Sequence, residues 1–102
     1  MTTATILLAP DSVTSFDFYK DAEGTARRLL QELQYVAMPP IEVEGEGADA
    51  AEECFDLTNN PYRQAERLEK YGRERSLSVG DIVSVFPGTA WLCAAVGWIE
   101  IK

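Results

Sequence analysis

Histidine is absent from this 102-residue chain. Without an imidazole there is no Ser-His or Cys-His nucleophile pair, and no side chain that titrates near neutral pH by default. That discounts most enzyme classes strongly, although carboxylates, lysine and tyrosine remain for chemistry. Cysteine is scarce: Cys54 and Cys93 make no CxxC pair and no disulfide framework. They supply too few soft ligands for zinc, so the expectation is no metal and no cofactor. Both lie among apolar neighbours and read as small, buried, reduced side chains, with an intramolecular disulfide as the alternative. No apolar run approaches the roughly 20 residues that span a bilayer. Ala4 to Ala9 lacks the basic flank and the length of a signal-peptide core. The expected protein is therefore soluble and cytoplasmic, with no membrane role.

Basic residues are scarce in the first half. Before Thr58, twelve acids stand against Lys20, Arg27 and Arg28 alone, whereas five acids meet six bases after it, for a net charge of −8. Such a balance disfavours direct nucleic-acid binding, which depends on neutralising phosphates. The natural complement is a basic protein surface. The seven glycines match neither a dinucleotide fingerprint nor a phosphate-binding loop.

What is present suits one domain over residues 1–102, with 46% hydrophobic residues for a single modest core. Thr3 to Ala9 reads as a central strand covered on both faces, ended by Pro10. Val13 to Tyr19 fits neither period well, but Phe16, Phe18 and Tyr19 are core material. Asp21 is the expected N-cap of a helix whose stripe is Ala26, Leu29, Leu30 and Leu33. Tyr35 to Met38 reads as an edge strand stopped by Pro39 and Pro40. A second helix is expected with Asp49 as cap and Glu52 completing a capping box, breaking at Leu57 to Asn59. A third follows Asn60 and Pro61, with a narrow stripe of Tyr62, Ala65 and Leu68, a Glu66–Lys70 pair, and Gly72 past its end. Ser78 to Asp81 is a turn, and Ile82 to Phe86 and Ala90 to Val96 form a hairpin through a type II turn at Pro87-Gly88. Gly97 marks a bulge or bend before Trp98 to Ile101 completes the sheet. The predicted class is α+β: about three helices on a small, mainly antiparallel sheet with a C-terminal β-hairpin.

Two charged groups are candidate surfaces. If Ile41 to Glu46 is extended, Glu42, Glu44 and Glu46 project from one side about 6.6 Å apart. With Asp49, Glu52 and Glu53 they make the densest acidic region. It reads as a solvated face, a carboxylate cation site or a patch for a partner's basic groove, where ordered carboxylates could imitate phosphates. Arg63, Arg67, Arg73 and Arg75 form the alternative surface, a basic stripe interleaved with Glu66, Glu69 and Glu74. Ser76 and Ser78 have no base and read as turn residues.

Phe55 to Pro61, Arg73 to Val83, Trp91-Leu92-Cys93 and Gly97-Trp98-Ile99-Glu100-Ile101 resemble the YodL-like family. Its pattern is an Asn-Pro segment, an R-S-L-S-V-x-D-V-V core and a closing G-[FW]-x-x-[IL]. The resemblance covers residues 55–102 and leaves the acidic half, residues 1–57, almost untouched. Ser76, Leu77, Ser78, Val79, Asp81, Gly97 and Trp98 carry it, in roles that read as structural. It implies a phage, plasmid or other mobile-element setting and transfers no catalytic residue. The leading expectation is a non-enzymatic acidic protein that binds a basic host surface and inhibits a nucleic-acid-handling or defence complex. Alternatives are a nucleic-acid accessory module using the arginine stripe and a small carboxylate-based enzyme.

Overall fold

A computed structural model describes residues 1–13 and 15–101, leaving aside the side chain of Ser15; Thr14, within the ambiguous Val13 to Tyr19 stretch, and Lys102 lie outside the described residues. One antiparallel sheet organises the chain. Its strands are β1 (Thr2–Leu8), β2 (Val36–Ala37), β3 (Ile41–Val43), β4 (Ile82–Val85), β5 (Thr89–Cys93) and β6 (Trp98–Ile101). The order is β2-β1-β4-β5-β6, and β3 shares the β2 edge of β1. Leu7 and Leu8 pair with β2, while Thr2 to Ala4 pair with β3. Pro39 and Pro40 separate the two, as expected where donors are missing at an edge. The helices are α1 (Ser15–Lys20), α2 (Ala22–Gln31), α3 (Ala48–Asn59) and α4 (Gln64–Lys70), with a 3-10 turn at Pro61–Arg63. The α+β expectation holds, with an additional short helix in the stretch that had no clear period.

Strand alternation divides the core in two. Ala4, Ile6, Leu8, Val83 and Val85 face α3 and pack with Ala50, Ala51, Cys54, Leu57, Tyr71 and Leu77. Leu7, Ile82, Leu92, Ile99 and Ile101 face the other way, onto Phe18, Ala26 and Leu29 of α1 and α2. The central strands are thus apolar on both faces, as the Ile6-Leu7-Leu8 run predicts. Cys54 and Cys93 are buried free thiols in the same core cluster.

Several local expectations are corrected. Phe16 and Tyr19 are exposed; of the three early aromatics only Phe18 is core. Asp21 does cap α2, accepting from Gly24 N–H, but Leu33 leaves the stripe and is 88% exposed. It sits past the C-cap at φ +56°, where Leu33 N–H bonds Leu30 C=O and Gln34 N–H bonds Leu29 C=O. That is the closing pattern usually made with glycine. It turns the chain toward β2 within a few residues.

Helix α3 starts at Ala48, with Gly47 as N-cap and no side-chain cap, so Asp49 belongs to the first turn and makes no capping box. Gly45 and Gly47, at φ +92° and +54°, make the corner out of β3. A Cβ on Gly45 would come within 3.0 Å of the Asp49 side chain. The helix also runs through Leu57 to Asn59 without a break. Thr58 Oγ1 donates to Cys54 C=O and Asn59 Nδ2 to Phe55 C=O. These side chains therefore bond back onto carbonyls of the helix they were expected to interrupt, which continues to Asn59.

The third predicted helix begins as expected: Asn60 Oδ1 accepts Tyr62 N–H, with Pro61 next. Its stripe is wrong, because Tyr62, Ala65 and Leu68 are exposed. The inward face is Arg63, Glu66, Arg67, Lys70 and Tyr71, four charged residues and one aromatic at helical spacing. Gly72, at φ +89°, ends it. The turn at Pro87-Gly88 is not type II: the Phe86–Pro87 bond is cis and Gly88 lacks a positive φ. The type II pattern instead fits Ser78 to Asp81, where Gly80 has φ +97° and Asp81 N–H bonds Ser78 C=O. Strand β5 stops at Cys93, three residues earlier than predicted; Gly97, at φ +74°, makes the expected bend before β6.

Candidate functional site

The acidic region is assembled by the β3–α3 corner. Strand β3 ends at Val43 and residues 44–46 bend, so Glu42, Glu44 and Glu46 do not form one extended row. Ile41 and Val43 face α3, which sends Glu42 to the opposite side of the sheet. There Thr3 Oγ1 donates to its carboxylate at 2.6 Å. Thr2 Oγ1 donates to Gly45 C=O and ties the bend to β1.

Glu44, Asp49, Glu52, Glu53 and Asp56 converge with Gly45 on an open groove of about 440 Å³. Asp56 is the residue the sequence reading left out of the site. Its signal was available: 49, 52, 53 and 56 follow the i, i+3, i+4, i+7 spacing of one helix face. Glu46 is exposed in the bend but does not line the groove. Arg63 binds Glu53 through both guanidinium nitrogens at 2.8–2.9 Å, and reaches Asp56 at 2.8 Å and Glu66 at 2.9 Å. Glu52 accepts from Trp98 Nε1 at 2.8 Å. The Glu44 and Asp49 side chains are exposed and have no hydrogen-bond or ion-pair partner among the described residues. Asp49 sits in the first turn of α3, where the helix dipole favours a negative charge. Among the described residues no group of three or more His, Cys, Asp or Glu is arranged to hold a metal ion.

The arginine stripe is distributed among internal roles. Arg63 is the hub just described, and its three carboxylate partners hold its pKa above the ordinary arginine value. Arg67 donates to Thr58 C=O at 2.8 Å, to Ser76 Oγ at 3.0 Å and to Glu74 C=O, and lies 5.7 Å from the centre of the Tyr71 ring. Arg75 is clamped on Asp81. Of the four, Arg73 is exposed and has no side-chain partner among the described residues. The stripe is therefore not gathered into one free basic surface.

The motif-like residues form a second hub. Asp81 is fully buried and accepts from Arg75 at 2.6 and 2.8 Å, from Ala9 N–H at 2.8 Å and from Ser78 N–H at 2.8 Å. Arg75 also donates to Ala9 C=O, so one ion pair fixes the end of β1 to the turn before β4. Ser76 Oγ donates to Thr58 C=O at 2.7 Å, and Leu77 N–H to Thr58 Oγ1 at 3.1 Å. Leu77 fills the α3-side core and Val79 the opposite one. Gly80 accepts from the Tyr35 hydroxyl at 2.7 Å. Burial beside Asp81 pushes that phenol well above its ordinary pKa. Gly97 positions Trp98, whose ring meets Phe55 edge-on at 6.5 Å.

Among the described residues no helix is long and apolar enough to cross a membrane. Comparison with family models, curated proteins and solved structures returns no match.

Proposed function

We propose that this chain is a non-enzymatic interaction protein that presents its acidic groove to a basic surface of a partner protein. One observation carries the reading. Five carboxylates meet at the groove of α3; Arg63 offsets Glu53 and Asp56, Arg75 is held on Asp81, and the Glu44 and Asp49 side chains have no cationic partner among the described residues. An exposed field of one sign steers association and favours a partner of the other sign. A mobile-element setting, with inhibition of a nucleic-acid-handling or defence complex, rests solely on the YodL-like resemblance. The geometry favours the acidic surface over an arginine-based nucleic-acid module, because among the described residues Arg63, Arg67 and Arg75 are all engaged within the fold.

The test is an affinity pull-down with the immobilised chain and with Glu44→Lys/Asp49→Lys, each at low and high salt. The expected result is a specific partner held by the parent chain, released by salt and lost from the double variant. Equal retention of that partner by the variant would remove the acidic groove from the reading.

A further inference from the structure

The two edges of the sheet are built differently. On one edge, strands of two and three residues flank Pro39 and Pro40, the kind of blunting that keeps edges from pairing. The other edge is β6, Trp98-Ile99-Glu100-Ile101, in regular register with β5 and carrying no proline.

The direction of its backbone groups follows from the turn. Ala94 N–H donates to Gly97 C=O at 3.1 Å, so that pair is hydrogen-bonded, and the pairs alternate from there. Leu92–Ile99 and Ala90–Ile101 are then hydrogen-bonded, whereas Cys93–Trp98 and Trp91–Glu100 are not. Cys93 agrees, since its N–H and C=O bond Asp81 and Gly80 on the β4 side. The N–H and C=O groups of Trp98 and Glu100 thus point outward from the sheet. Among the described residues they have no hydrogen-bond partner.

The side chains beside that open edge are chemically sorted. Trp98 lies on the α3 face, and alternation places Glu100 there too, whereas Ile99 and Ile101 lie on the α2 face. Glu52 joins this edge to the acidic groove, because it lines the groove and holds the Trp98 indole. We infer that β6 receives an extended segment of the basic partner as an added strand. Lys or Arg stands opposite Trp98 and Glu100, and an apolar β-branched residue opposite Ile99. The backbone supplies register, and Glu100 and Glu52 supply charge complementarity. A second copy of the chain fits this edge poorly, since each carries a net charge of −8.

This inference rests on the acidic-partner reading and adds the mode of docking, so its test separates the two. The ¹⁵N-labelled full chain is titrated with a synthetic peptide of alternating arginine and valine, and with the same peptide methylated on its arginine amide nitrogens. Those are the N–H groups that would donate to the Trp98 and Glu100 carbonyls. Amide shifts at Trp98 and Glu100 are expected, with about tenfold weaker binding of the methylated peptide, as loss of directed backbone hydrogen bonds implies. Glu100→Pro removes an outward N–H and no bond to β5, and is expected to bind the parent peptide more weakly than Glu100→Gln, which loses the same charge and keeps the N–H. Should Glu100→Pro not fold, the methylated peptide on the parent chain decides alone. Equal affinity for both peptides, with shifts confined to Glu44 and Asp49, would overturn strand addition and leave the acidic groove standing. No shift anywhere would remove both. A dimer dissociated by Glu100→Pro would assign the edge to a second copy and overturn the inference.

Discussion

Replacing Asp81 by asparagine is expected to destabilise the protein by about 3–4 kcal/mol. The substitution is nearly isosteric, so packing around the fully buried side chain is preserved and the charge is what changes. One amide oxygen can still accept Ala9 N–H, now held at 2.8 Å. The other position becomes an NH₂ that faces Ser78 N–H and an Arg75 nitrogen, donor against donor. Each bond to a charged group contributes about 1.5–3 kcal/mol, so losing two gives about 3–6 kcal/mol. The lower part of that range applies because the Arg75 side chain is 39% exposed and can turn its charge to water. Urea unfolding followed by circular dichroism should show the midpoint falling by about 2 M with an unchanged slope. Arg75→Met should cost a similar amount by leaving the carboxylate buried without its cation. The Arg75→Met/Asp81→Asn pair should cost well under the sum of the two, a coupling of about 2–3 kcal/mol. A loss under about 1 kcal/mol for Asp81→Asn, or additive single variants, would refute the ion pair as the latch between β1 and the turn before β4.

Three further outcomes follow from the same structure. Leu33→Gly should stabilise the fold by about 1 kcal/mol, because an exposed leucine held at φ +56° gives way to the residue that prefers it; a lower melting temperature would contradict this. Gly80→Ala should destabilise by about 3 kcal/mol or more, since φ is +97° and the new Cβ would lie 2.3 Å from the Phe18 ring; a near-neutral melt would show that the ring has room to move. Stability should fall at alkaline pH. Burial pushes the Cys54 and Cys93 thiols from 9.0 up to about 12, and Tyr71 from 10.0 up to about 12. Above about pH 9 the unfolded chain loses protons that the native state keeps, so each group removes up to about 1.4 kcal/mol per pH unit. Urea midpoints that stay constant from neutral pH to well above 9.0 would refute it, as would fast thiol labelling of the native protein at neutral pH.

The large elements were legible because they obey simple periods. Ile6-Leu7-Leu8, apolar at consecutive positions, announced a strand covered on both sides, and Asp21 announced its helix. The misreadings share a cause: a competing local hydrogen bond or a neighbour not visible from sequence. Thr58 and Asn59 look like helix breakers until their side chains are seen bonding their own helix. Asp49 looks like a cap until Gly47 takes the corner. Of the acidic residues singled out, Glu44, Asp49, Glu52 and Glu53 come together, Glu42 turns to the other face of the sheet, and Glu46 stays in the bend. Treating residues 41–46 as one strand hid the bend that begins at Glu44 and turns at Gly45. Asp56 was legible from its helical spacing with Asp49, Glu52 and Glu53.

Helix α4 links the fold to the proposed surface. Apolar spacing placed Tyr62, Ala65 and Leu68 inward, but α3 offers this side the Glu53 and Asp56 carboxylates and the Thr58 carbonyl. Arg63 and Arg67 gain more from those acceptors than the small stripe would gain from burial. Charge-assisted bonds run at about 1.5–3 kcal/mol each, against roughly 1.5–3 kcal/mol for fully burying one large apolar side chain. The helix therefore rotates its arginines in and leaves Tyr62 96% exposed. This choice has a consequence for recognition. Arg63, Arg67 and Arg75 all serve to stitch α3, α4 and the turn before β4, so little of the positive charge in the second half reaches solvent as free cation. Arg63 already offsets Glu53 and Asp56 in the groove wall, so the groove's field is carried chiefly by Glu44 and Asp49. Mutating Arg63 should consequently act on stability first, and on partner binding only through the two carboxylates it releases into the groove.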